Sequence, residues 1–232
     1  MKKLFIVMLT LFVLCACAKV EEPKVEEQPK TEEIAGGWTL NPNLPDINDA
    51  YFSRATSTLT GVEYRPLLVL GDQPSADTNY AYLAYGTTVT ANPKTEFKVL
   101  IIHGDNQNSE GNQVLNIADF NLSDYVDNEG STTPDGLMGG WKDNTELPNF
   151  LDEKTNELFE KAFEGFAGVG YKPVTLLGTQ VVAGTNYAIL AIGTSVTAEP
   201  ISHLYVVNIF EDLQGNVTLN NICGIDLSSF NK

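Results

Sequence analysis

The chain has 232 residues and a mass of 25.3 kDa, enough for one large domain or two small ones. Its 43% hydrophobic and 19% charged residues bury a core, which excludes a wholly disordered polypeptide; the 30 acidic residues against 14 basic ones, a formal charge of −16, exclude a nucleic-acid partner by repulsion. The cysteines and histidines (Cys15, Cys17, Cys223, His103, His203) lack the spacing of a zinc site, and no cofactor or metal is expected.

At the start of the chain, Lys2 and Lys3 precede an apolar run from Leu4 to Leu14, too short to span a bilayer comfortably, which is the pattern of an export signal. Its end, Leu14-Cys15-Ala16-Cys17, resembles the lipobox of bacterial lipoproteins. That resemblance implies a signal peptide over residues 1–16, a lipid on Cys17, and a place on the membrane of the bacterial cell envelope, exposed outside the cytoplasm. A plain signal peptide with an incidental cysteine, or a retained anchor helix, is the alternative. Removing Lys2 and Lys3 deepens the charge to −18, and Cys223 becomes the only free thiol, so the mature chain forms no internal disulfide. Residues 17–35 are rich in Glu, Lys and Pro without aromatics and read as an extended, solvated tether.

The remainder is one unit written twice. Tyr64–Pro93 aligns without gaps on Tyr171–Pro200 at an offset of 107, with 18 of 30 positions identical. Upstream, Gly36-Gly37-Trp38 and Leu44-Pro45 recur as Gly139-Gly140-Trp141 and Leu147-Pro148 at an offset of 103. A copy of about 95 residues is long enough to fold alone, so two domains are expected, over residues 36–125 and 136–232. The Asp, Asn, Gly, Ser, Thr and Pro clustered between Tyr125 and Asp135 form the joint.

Within the second copy, Leu151, Thr155, Leu158, Phe159, Ala162 and Phe163 fall at helical spacing, predicting one amphipathic helix inside Pro148–Phe166. Its counterpart over Pro45–Leu59 keeps Ile47, Tyr51 and Leu59 but is loaded with Ser and Thr. Four runs rich in Val, Ile, Tyr, Leu and Thr come next in the second copy: Val169–Leu177, Val181–Gly193, Leu204–Phe210 and Val217–Ile225. A helix followed by a meander predicts an α+β fold class: two tandem domains, each with one helix packed on an antiparallel sheet of four to five strands.

The stretch Gln180-Val181-Val182-Ala183-Gly184-Thr185-Asn186-Tyr187 resembles the QVVAG loop of the cystatin family, most closely the stefins. Leu151–Glu157 resembles the stefin helix, Leu137-Met138-Gly139-Gly140 the cystatin N-terminal trunk, and Phe210–Leu213 with Gln214–Asn220 the second hairpin. The hairpin lacks the Pro usual after its leucine, and Trp141 stands where the family often has a small residue or Pro. The resemblance implies tandem cystatin-like domains and non-covalent inhibition of a papain-like cysteine protease by a wedge of trunk, QVVAG hairpin and second hairpin. The protease-binding residues would be Leu137, Met138, Gly139, Gly140, Gln180, Val181, Val182, Ala183, Gly184 and Leu213. Apolar protrusions suit a cleft built for an extended peptide, and glycine permits close backbone approach; such a wedge would bury roughly 800 Å² per side.

The first copy has Gln73-Pro74-Ser75-Ala76-Asp77 at the equivalent loop. Pro74 removes a donor and Asp77 brings a charge, predicting a weak or absent wedge. Asp105, Gln107 and Ser109 are spaced somewhat like a calcium loop, but its glycine is displaced, and a solvated hairpin is the stronger reading. An enzyme is not expected: both histidines lie in apolar strand surroundings, no Cys or Ser sits in a nucleophile motif, and Cys223 reads as a buried strand residue. The alternative function is a membrane-tethered binding module on the same scaffold with no protease target. Composition leaves the oligomeric state open, domain-swapped dimers included.

Overall fold

The structure is a computed structural model; it describes residues 33–34, 37–41, 43–44, 50–74, 77–105, 107, 111–126, 140–145 and 151–231. The export segment with Cys17, the tether as far as residue 32, the joint from residue 127 onward, and Leu137, Met138 and Gly139 lie outside these residues; Glu33 and Ile34, expected to belong to the solvated tether, instead pair with Thr39 and Trp38 as a strand. Among those described, no helix is long and apolar enough to cross a membrane.

Among the described residues, eleven strands form two antiparallel sheets, each laid down in chain order. The first sheet holds β1 (Glu33–Ile34), β2 (Trp38–Leu40), β3 (Val62–Pro74), β4 (Thr78–Thr88), β5 (Thr95–Gly104) and β6 (Gln113–Asp119). The second holds β7 (Lys142–Asp143), β8 (Val169–Val182), β9 (Gly184–Ser195), β10 (Ser202–Asp212) and β11 (Val217–Ile225). Among the described residues two short α-helices accompany them, α1 (Ala50–Thr56) and α2 (Glu153–Ala162). Asp152 caps α2 by accepting from the Thr155 amide at 2.7 Å, and hydrogen bonding to the Thr155 side chain, then to that amide, holds its carboxyl below the usual range. At α1 the Ser and Thr load acts as expected. Thr56 Oγ1 donates to the Phe52 carbonyl and Ser57 Oγ to that of Arg54, so hydroxyls compete with the backbone where the helix ends.

The chain is predominantly β, and the expected α+β pair of helix-on-sheet domains is not what it forms. The two sheets pack face to face and share one core. Trp38, Leu40, Leu68, Leu83, Val99 and Phe120 of the first copy lie in the same buried cluster as Val174, Leu177, Leu190, Ile192, Leu204 and Val206 of the second. The helices sit on the outer faces: Phe52 and Ala55 pack on Val69, Tyr82 and Leu100, while Leu158 and Phe159 pack on Ile189, Val207 and Ile209. The reason is legible in the central strands. Ala81–Tyr85 and Ala188–Ile192 are buried continuously rather than in alternation, so each sheet needs cover on both sides and its one short helix covers only one.

The contacts between the copies are reciprocal. Past β6 a 3₁₀ turn (Leu122–Asp124) sends Leu122 against Gly178 of β8; past β11 a second turn (Leu227–Phe230) sends Leu227 against Gly71 of β3. A Cβ on Gly178 would lie 2.7 Å from Leu122 Cδ2, and one on Gly71 3.0 Å from Leu227 Cδ1. Asn116 Nδ2 donates to the Phe230 carbonyl at 2.6 Å, and Asn221 Nδ2 to that of Tyr125 at 3.4 Å. Each turn leaves the far end of its own sheet and packs near the β3–β4 or β8–β9 tip of the other. The sheets therefore run head to tail, with these tips at opposite ends of the sandwich.

The outer edges of β3 and β8 are protected in the same way. β2 and β7 cover only the last few residues, Asn41 and Asn144 each bond the edge through a backbone amide and Nδ2, and the ladder shifts beside Pro66 and Pro173.

Candidate functional site

The sequence motif Gln180–Gly184 is the tip of the β8–β9 hairpin. The ladder runs through Val181–Thr185 to Val182–Gly184 and leaves only Ala183 outside it. The next hairpin turns at the same end, because Glu211 pairs with Thr185 and Asp212 with Gly184. Two tips thus stand side by side on neighbouring strands. Each projects a large apolar residue: Val181 is 68% exposed and Leu213 78%. Ala183 is also exposed, and Val182 is half-buried.

The third component enters along the adjoining edge. Lys142 pairs with Thr179 and Asp143 with Gly178, so continuing this register brings Trp141 level with Gln180 and Gly140 level with Val181. Gly140 is exposed and open around its Cα, while Trp141 packs against the shared core.

Two of the sequence-derived residues do work inside the molecule rather than on its surface. Gln180 is buried, and its Oε1 accepts from Asn186 Nδ2 at 2.9 Å, bracing the hairpin from strand to strand. The first copy repeats the brace with Gln73 and Asn79 at 3.1 Å. Gly184 is also buried, with φ at +139°. A Cβ there would lie 2.4 Å from the Glu211 carbonyl oxygen and 2.6 Å from the Phe210 ring, so its glycine lets β10 and its aromatic close over the tip. The close approach expected of this glycine is met within the chain itself. Where Gly184 faces Phe210, the first copy has Asp77 and His103, with Nε2 3.5 Å from the carboxylate and Nδ1 3.1 Å from Asn79 Oδ1.

Motif reasoning missed the residues that set the second tip. Asp212 Oδ1 accepts from the amides of Gln214 and Asn216, both at 2.8 Å, and Oδ2 from Asn216 Nδ2 at 2.7 Å. These bonds hold its carboxyl below the usual range. Gly215, with φ at +83°, completes the turn. The signal was there to read in Asp212-Leu213-Gln214-Gly215-Asn216, an Asx-capped turn with a glycine at the left-handed position. Behind the tips, Glu211 Oε2 meets Lys154 Nζ at 2.9 Å and accepts from the Tyr187 hydroxyl at 2.9 Å. The lysine bond leads in lowering the Glu211 carboxyl, and burial raises the Tyr187 hydroxyl. The group ties the first turn of α2 to β9 and β10.

Elsewhere the placements are plain. Cys223 is half-buried rather than fully covered. Asp105 Oδ1 is used within the chain by the Gln107 amide, and no metal-binding cluster occurs among the described residues. No family model matches the chain, and no curated protein matches it.

Proposed function

We propose that the mature chain inhibits papain-like cysteine proteases by seating the paired tips of β8–β9 and β10–β11, with the segment Leu137–Gly140, in the groove where the enzyme holds an extended peptide. The observation that carries this reading is the placement of Val181 and Leu213, the large exposed apolar residues of two hydrogen-bonded neighbouring hairpins. Burying them in a groove releases water from apolar surface, and the braces from Gln180, Asp212 and Glu211 mean that little ordering opposes it. No covalent step is needed. A wedge lying over the nucleophile without presenting a carbonyl at attack distance blocks the reaction geometry. On the same reading residues 1–16 are removed, and a lipid on Cys17 holds the inhibitor at the cell envelope at the end of its tether; the mass of the N-terminal peptide from the membrane fraction tests this.

The functional experiment titrates a papain-like protease with the soluble chain from residue 18 onward. Stoichiometric or tighter-than-micromolar loss of hydrolysis is expected. Val181→Asp and Leu213→Asp should each weaken it by roughly tenfold or more, the scale of losing an apolar anchor. Unchanged hydrolysis at an excess of the parent chain overturns the proposal. Gly184→Asp is a poor probe, because its side chain would strike Phe210 before any enzyme.

A further inference from the structure

The first copy has a Pro and an Asp at its own tip, which leaves open what it contributes. We infer that it braces the edge strand from which the second copy's wedge departs, with Tyr85 and Leu122 as the positioning residues; this rests on the inhibitor reading for its consequence but not for its geometry.

β7 is only two residues long and pairs with only two residues of β8, too little to hold an edge by itself. Asn144, the next residue, is held from two sides. It bonds β8 through its amide to the Leu177 carbonyl at 2.8 Å and through Nδ2 to the Leu176 carbonyl at 3.2 Å. Its own carbonyl accepts the hydroxyl of Tyr85, a residue of β4 in the other copy. Tyr85 is itself fixed: it is 1% exposed, its ring lies 5.1 Å from that of Phe97, and Arg65 sits 5.5 Å over its face. Leu122 reaches the same place: a Cβ on Gly178, the partner of Asp143, would lie 2.7 Å from Leu122 Cδ2 and 2.8 Å from the Lys142 carbonyl oxygen.

The asymmetry between copies favours a dedicated role. The position of Tyr85 is Ile192 in the second copy, which has no hydroxyl to return the bond to the first. The Leu122 contact is shared by both copies and maintains the sandwich; the Tyr85 bond reaches only toward the edge that leads into Gly140, level with Val181. A trunk anchored two residues from its point of departure enters a groove with its direction set, so less freedom is lost on binding and the complex dissociates more slowly.

The test uses the whole mature chain and two readouts. Amide exchange followed by NMR needs no protease. Tyr85→Phe removes one oxygen and keeps the ring, and it should speed exchange at Lys142, Asp143 and Asn144 by about tenfold, the factor that corresponds to losing one hydrogen bond of about 1.4 kcal/mol. Ile102→Val, in the cluster under α1 away from the second copy, serves as the control for general loosening and should leave those three amides at the parent's rate. Leu122→Ala should also speed them, with a wider effect along β8. If exchange in Tyr85→Phe equals that of the parent, or Ile102→Val speeds it as much, the brace is refuted. Against a papain-like protease, Tyr85→Phe should raise the dissociation rate several-fold while the association rate stays within twofold. A parent that inhibits together with an unchanged dissociation rate in Tyr85→Phe also refutes the positioning role. A parent that fails to inhibit refutes the inhibitor reading alone, with the exchange data still deciding the brace.

Discussion

Cutting the chain between its copies should destroy the fold of each half. Residues 136–232 alone would carry a sheet whose inner face bears Val174, Leu177, Leu190, Ile192, Leu204, Val206 and Ile225, followed by a turn with Leu227 and Phe230, all buried in the intact chain in a cluster shared with the first copy. Fully burying one such side chain is worth roughly 1.5–3 kcal/mol, so if separation uncovers only half of each, nine of them lose roughly 7–13 kcal/mol. A domain of this size has a total stability of about 5–15 kcal/mol, so the loss matches or exceeds what is available. The bonds to Phe230 and Tyr125 from the opposite copy are lost as well. Size-exclusion chromatography with light scattering, thermal circular dichroism and dye binding would follow the isolated half. Expected is a species that binds a hydrophobic dye and melts without cooperativity, or one that self-associates through the bare face. A cooperative monomer with dispersed NMR signals would refute the shared-core reasoning.

Three further outcomes rest on individual contacts. Gly184→Ala should destabilise the intact chain by about 1–3 kcal/mol, the scale of overpacking, because its methyl meets the Glu211 carbonyl and the Phe210 ring; thermal melts check it, and a neutral result would mean the tip opens freely. Asn116→Ala and Asn221→Ala remove reciprocal bonds and should each cost about 1 kcal/mol in urea unfolding; a cost for one alone would break the symmetry argued from their carbonyl partners. Stability should also depend on pH in two opposite ways. Burial, with the charge of Glu96, raises the Asp143 carboxyl, so its ionised form opposes folding at neutral pH and the penalty is relieved as pH falls through that raised value. Asp152 and Glu211 are lowered, so their contribution is present above the ordinary carboxylate range and is lost only as pH falls through their depressed values. Melting temperature should therefore rise slightly from neutral to mildly acid pH before it falls. Asp143→Asn should flatten the rise, and an unaltered profile in that variant would remove Asp143 as its cause.

How much of this is legible in the sequence differs from element to element. The runs rich in Val, Ile, Tyr, Leu and Thr mark the strands of the second copy well. Val217–Ile225 has the bounds that the run of Val, Leu and Ile suggests, while β8 runs on to Val182 although the apolar run breaks near Leu177. α2 is shorter than its apolar spacing allows because Asp152 caps it late. The larger miss is one of partner. A continuous apolar run in a strand states that both faces are covered but not by what, and sequence reasoning gives all of the covering to the helix. A clue lies in the tail of the repeat. Asn116-Ile117 and Leu122-Ser123, followed by Tyr125, recur as Asn221-Ile222 and Leu227-Ser228, followed by Phe230, at an offset of 105. Asn116 and Asn221 lie on the last strands and Leu122 and Leu227 in the turns beyond them, and in the structure these four, with Tyr125 and Phe230, make the reciprocal contacts between copies.

The duplicated tips then diverged as coupled pairs rather than residue by residue. In the second copy, the ring of Phe210 over the hairpin requires that position 184 have no Cβ, so the glycine and the aromatic stand or fall together. The first copy satisfies the same two positions with a carboxylate and an imidazole, Asp77 and His103, which face each other at 3.5 Å. Exchanging only one member should damage either tip: Phe210→His would leave a cavity over Gly184 with no acid to face it, and Asp77→Gly would strip His103 of its carboxylate. The head-to-tail packing places these two different tips at opposite ends of one molecule. One end of the shared core therefore carries Asp77 and His103 and the other the exposed Val181 and Leu213, and an apolar groove on a partner would engage the latter.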